Sequence, residues 1–217
     1  MDERNKKFAE MIVNYSCSVQ PGERVLINEV GTTAKPLIKE IIRAVYKAGG
    51  HPFLGLSDAS LNREIIMQCN EAQLEYMRDY QLEQMKGMDA YIAVRASDNT
   101  SELSDVPSEK LNMYNKILRP VLDERVNNTK WAIMRYPNNS MAQLAGMSTE
   151  AFEDFYYDVC TLDYAKMSAA MDPLVELMNK TDKVRLVAPG TDLTFSIKDI
   201  PAIKCDGKYN IPDGEVY

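Results

Sequence analysis

Histidine is nearly absent from this sequence: His51 is the only one in 217 residues. A zinc site built from several imidazoles, or a Ser-His-Asp triad, therefore has at most one imidazole to draw on. His51 has no second histidine or neighbouring cysteine near it in the chain and reads as structural. The four cysteines, Cys17, Cys69, Cys160 and Cys205, show no CxxC spacing, so no zinc ribbon or dithiol redox motif is written in them. None sits at a visible helix start or in a basic setting that would lower its pKa, and they read as buried and inert. Runs of lysine and arginine with interleaved aromatics are missing too, and the net charge is -7, which argues against a nucleic-acid partner. No apolar run approaches the ~20 residues that cross a bilayer. The opening MDERNKK lacks the apolar stretch of a signal peptide. The expectation is a cytoplasmic chain with free thiols and no membrane partner. A phosphate-binding loop is also lacking, because the first strand-to-helix junction, NEVGTTAKP, matches neither GxGxxG nor GxxxxGK[ST].

What is present is a regular alternation of patterns. Phe8, Met11, Ile12 and Tyr15 have the spacing of a helix with one buried stripe, which Pro21-Gly22 ends. ERVLINEV reads as a strand, and Leu37, Ile38, Ile41, Ile42 and Val45 as the buried face of a helix with Thr32 or Thr33 at its N-cap and Pro36 in its first turn. HPFLGL follows as a second strand and AYIAVRA as a third. Between them lies a helix opened by an apparent capping box, Asn70 with Gln73. A helix with Leu111, Tyr114, Ile117 and Leu118 leads to a fourth strand, TKWAIMRYP, and Pro120 is expected to kink or shorten that helix. The fold class is α/β, with a largely parallel sheet flanked by helices in Rossmann-like layers.

After Pro137 the rhythm changes. MAQLAGM, STEAFEDFYYDVC and LDYAKMSAAMDPLVELMNK are helical, with Ser148 or Thr149 capping the second and Phe152, Phe155, Tyr156 and Val159 on one face. KVRLV and DLTFSIK flank Pro189-Gly190, a pair suited to the centre of a tight turn, and form the first β-hairpin of a second unit. The expected division is an N-terminal α/β domain over 1–180 and the start of a different, β-containing unit over 181–217. If that second unit is truncated, an apolar patch, or a dimer contact covering it, is expected beside the hairpin.

The closing IPDGEVY has a strong turn signal in Asp213-Gly214, with a carboxylate, Glu215, held at the start of the next strand. In its own terms this is a strand-turn-strand, or the edge of a metal site with oxygen or mixed ligands. A single carboxylate does not make such a site, since catalytic zinc keeps about three protein ligands.

MRYPNNSMAQLAGMSTEAFEDFYYDVC, the hairpin PGTDLTFSIK and the closing NIPDGEVY, together with PGERVLI and GGHPFL, resemble the aminopeptidase T and aminopeptidase S family, also called thermophilic metalloproteases. The similarity runs along essentially the whole chain. It implies a metal-dependent aminopeptidase that removes N-terminal residues from peptides with two divalent ions of the zinc, cobalt or magnesium type, working as a homodimer. By this resemblance, the glutamate of PDGEV, here Glu215, is a metal ligand, and the remaining ligands belong to a C-terminal domain that these 217 residues do not contain. The chain then reads as an N-terminal fragment, inactive alone and binding metal weakly through Glu215, with 181–217 as the start of a truncated, metal-binding domain. The alternative is a free-standing α/β module that binds a small ligand or peptide without catalysis.

Overall fold

The computed structural model describes residues 2–217. Its first helix, α1 (Glu3–Met11), is capped by Asp2 and widens into a single π-turn, Ile12–Ser16, before the chain enters the sheet. Four strands, β1 (Arg24–Gly31), β2 (His51–Ser57), β3 (Ala90–Ala96) and β4 (Lys130–Arg135), lie parallel in the order β2-β1-β3-β4. They alternate with helices α2 (Lys35–Lys47), α3 (Ala59–Gln68), α4 (Glu71–Lys86) and α5 (Ser108–Asn128). This is the α/β architecture that the alternating patterns imply.

Side chains alternate across each strand. Val25 and Ile27 of β1, Ile92 and Val94 of β3, and Ala132 and Met134 of β4 are buried in one cluster with Phe8, Ile12, Val13, Leu37, Ile41 and Val45 from α1, the π-turn and α2. The other face carries α4 and α5, packed on one another, and buries less: no residue of α5 is fully buried. Helices α6 (Asn139–Leu144), α7 (Thr149–Cys160) and α8 (Tyr164–Lys180) follow β4. The buried stripe of α7 is Phe152, Tyr156, Tyr157 and Cys160, whereas Phe155, expected on that face, is 55% exposed.

Local departures from the sequence reading have identifiable causes. Helix α5 runs unbroken through Pro120; proline removes one hydrogen bond, and the pairing of α5 with α4 along its length outweighs that loss. Neither threonine caps α2. The N-cap is Ala34, whose N–H donates instead to Oε1 of the buried Glu29 on β1 at 3.0 Å, while the Thr33 hydroxyl turns to the carbonyl of Ala96 at 3.2 Å. Only half of the capping box forms: Asn70 accepts from the Gln73 N–H at 2.9 Å. Helix α3 was not anticipated; it buries only Ile66 and leaves Leu61 and Ile65 exposed.

The remaining strands are β5 (Lys183–Ala188), β6 (Thr191–Ser196), β7 (Lys204–Cys205), β8 (Asn210–Ile211) and β9 (Glu215–Val216). β5 and β6 form an antiparallel hairpin across Pro189-Gly190, with Gly190 in the left-handed region at φ 75°. Leu186, Leu193 and Phe195, which share one face of this hairpin, are exposed. β8 joins the main sheet as a fifth strand, parallel to β4, and Ile211 enters the main core. β7 and β9 form a second small antiparallel pair.

Candidate metal centre

β4 and β8 run in the same direction, so Pro212 and Asp213 leave the sheet at its carboxyl edge. The chain then turns at Gly214 (φ 142°) and returns as β9 against β7, with Cys205 directly opposite Glu215. Directly opposed residues of an antiparallel pair share a face. As a result Cys205, Asp213 and Glu215 present ligand atoms that all lie within 4.8 Å of one another.

Asp213 is held from two sides. Its Oδ2 accepts the N–H of Gly207 at 2.8 Å, and its own N–H donates to the Tyr164 hydroxyl at 3.3 Å. Tyr164 is a fully buried side chain whose ring covers Gly207, where an added Cβ would lie 2.5 Å from a ring carbon. Burial pushes the Tyr164 phenol up to about 12, so it is neutral at ordinary pH. Neighbouring Asp206 is buried and differently employed, accepting from Ser168 at 2.8 Å and pairing with Lys208 at 3.2 Å. Lys204 pairs with Asp172 at 2.6 Å. Among the described residues no salt bridge reaches Asp213 or Glu215. Cys205 is half-buried, and its thiol is raised first by burial and then by Asp213, Glu215 and Asp206.

The same carboxyl edge holds a second feature. β2 lies on one side of β1 and β3 on the other, so the strand order reverses at β1. Open α/β sheets take ligands at the carboxyl end of such a reversal. A cleft of about 450 Å³ opens at this edge, lined among others by Thr33, Asp98, Asn139, Ser140, Thr149 and Glu153. At the end of β1, Gly31 lets the backbones of β1 and β3 approach closely: at φ 107° a Cβ there would lie 2.4 Å from the Ala96 carbonyl oxygen.

The family model for M29 peptidases, described as thermophilic metalloprotease, matches residues 1–217. The chain belongs to the M29 family. Among solved structures, wild-type AmpT from Thermus thermophilus aligns with a TM-score of 0.74 at 18% identity, over 99% of this chain and 60% of that one. The 2,5-dihydroxypyridine dioxygenase of Pseudomonas putida KT2440 aligns at a TM-score of 0.50 and 12% identity, over 98% of this chain and 54% of that one. At such identities both speak for the fold alone. No curated protein matches the M29 chain. It thus spans little more than half the length of the structures it resembles.

For this M29 chain the sequence singled out Glu215, which the fold leaves exposed on β9 with two further donors beside it. Asp213 lies in the motif already quoted and was read only as a turn residue. Cys205 was read as buried and inert; it is instead the one half-exposed thiol, whereas Cys17, Cys69 and Cys160 are buried. Its pairing with Glu215 depends on the β7–β9 register, which short two-residue strands do not announce. His51 is exposed at the start of β2, and its backbone N–H bonds the Glu23 carbonyl at 2.7 Å. Glu153 pairs with Arg4 at 3.5 Å and lines the cleft. The donor set at Glu215 fits a divalent ion, since two carboxylates and a thiol converge and, among the described residues, no salt bridge reaches either carboxylate.

Proposed function

We propose that this chain is the α/β portion of a metal-dependent aminopeptidase that releases N-terminal residues from peptides. Membership of the metalloprotease family along all 217 residues supports this reading, and the observation that carries it is the placement of Glu215. It stands at the carboxyl edge of the sheet, exposed, with no salt bridge among the described residues, on a ribbon whose turn is fixed from Tyr164 and Gly207. In this reading Glu215 is a ligand to one of two divalent ions, of the zinc, cobalt or magnesium type, and not a general base. When bound, such ions supply Lewis acidity toward a peptide carbonyl and acidify water.

The protein's own groups orient that chemistry. Asp213 and Gly214 aim Glu215, and Tyr164 keeps the ribbon against α8. Residues 1–180 form the α/β domain that walls one side of the peptide cavity, and 181–217 begin the metal-binding domain. The remaining ligands lie outside these residues, so the 217-residue chain is inactive alone and the intact enzyme works as a cytoplasmic homodimer. Among the described residues no helix is long and apolar enough to cross a membrane.

The test is release of N-terminal amino acids from unblocked peptides. The pure 217-residue chain is expected to give none, and a longer species carrying the remaining ligands is expected to be active and to lose activity with Glu215→Gln. Activity of the isolated chain, or full activity of the Glu215→Gln long form, would sink the reading. The cleft of about 450 Å³ at the strand-order reversal favours a second reading, a small-ligand or peptide-binding module without catalysis. That reading predicts saturable binding abolished by substitutions at Asp98 or Ser140 and untouched by Glu215→Gln.

A further inference from the structure

We infer that Cys205 is itself a metal ligand, so that this chain alone holds one divalent ion through the Cys205 sulfur and the carboxylates of Glu215 and Asp213. The inference rests on the metal-centre reading of Glu215 but concerns a different residue and a different property, the sulfur character of the site. Its first support is register. Cys205 and Glu215 are directly opposed on the β7–β9 ribbon, so their side chains emerge side by side. Its second is charge. Around the ribbon Asp206 has Lys208 and Asp172 has Lys204, whereas Asp213 and Glu215 face each other and a thiol with no salt bridge among the described residues. Converging negative groups without a cation repel, and a bound cation reverses the sign of that interaction. The third is that the family to which the chain belongs is one of metalloproteases.

The distances suit a small tetrahedral ion after modest closure. Zinc–sulfur bonds of about 2.3 Å and zinc–oxygen bonds of about 2.1 Å set ligand atoms about 3.5 Å apart. Here they lie within 4.8 Å, and Glu215 is exposed and free to rotate inward. Asp213 keeps Oδ2 on the Gly207 N–H and offers Oδ1. On binding, the Cys205 thiol loses its proton to solvent and the thiolate donates to the ion. One thiolate with two carboxylates selects a borderline ion such as zinc or cobalt over magnesium or calcium, which prefer all-oxygen sites.

The experiment is titration of the reduced 217-residue chain with cobalt(II), followed by absorption. The expected result is a near-ultraviolet sulfur-to-cobalt charge-transfer band saturating at about one equivalent. Cys205→Ser should abolish that band and weaken cobalt binding by about tenfold or more. Cys17, Cys69 and Cys160 are buried and leave the band unambiguous. Cobalt binding that depends on Glu215 but shows no charge-transfer band would overturn the role of Cys205 while leaving that of Glu215 intact. A band that survives Cys205→Ser would overturn it as well. The cadmium-113 resonance of the wild-type chain needs no variant: a shift in the range of sulfur-coordinated cadmium supports the inference, and one in the all-oxygen range contradicts it.

Discussion

Strands β1 and β6 both carry large apolar residues, yet Val25 and Ile27 of β1 are completely buried whereas all six residues of β6, Leu193 and Phe195 included, are exposed. β1 is paired on both sides and covered by α1 and α2; β6 has β5 and nothing else in the sheet. An isolated two-stranded hairpin is marginal in water. β5–β6 is held by its ladder and by surface groups such as the two 2.7 Å bonds from Arg185 to Asp192. Apolar alternation therefore specifies that a segment is a strand without specifying that its apolar face is covered. Between these extremes lies the 204–216 ribbon, which has little sheet of its own but is fastened to the core through Ile211 and Tyr164.

That gradient can be broken at graded cost. Tyr164→Ala removes the buried ring between α8 and the ribbon and should cost about 3–5 kcal/mol in urea unfolding. It should also free the Gly207 and Asp213 amides to exchange. Gly31→Ala places a Cβ against the Ala96 carbonyl in a left-handed backbone and should cost about 1–3 kcal/mol, again by urea midpoint. Ser148→Ala deletes the hydroxyl that accepts from the Ala151 N–H at 3.3 Å and should cost about 1 kcal/mol. Leu193→Ser, on the exposed hairpin, should change stability by less than about 0.5 kcal/mol. A loss comparable with Gly31→Ala would show that the hairpin is part of the cooperative core and erase the contrast.

The four long strands, the α2 and α7 helices and the Pro189-Gly190 hairpin were legible because each carries a full apolar period or a strong turn signal. Several features were not, for reasons of context. The α2 cap comes from Glu29, five residues earlier and on a strand, so no local motif encodes it. α3 buries one residue, and β8 contributes two residues to a sheet formed some 75 residues before it. Glu215 was legible only through the motif that surrounds it. Cys205 and Asp213 were not, because their meeting depends on the β7–β9 register and on the Tyr164 contact, both set by tertiary packing.

The most direct test of the account is amide hydrogen exchange of the 217-residue chain with and without zinc. The account predicts that zinc slows exchange across residues 204–216 by stapling β7 to β9, while β1, β3 and the exposed β5–β6 hairpin are unchanged, and that Glu215→Gln removes the effect. Identical protection of the ribbon with and without zinc, or slowing that persists in Glu215→Gln, would contradict it.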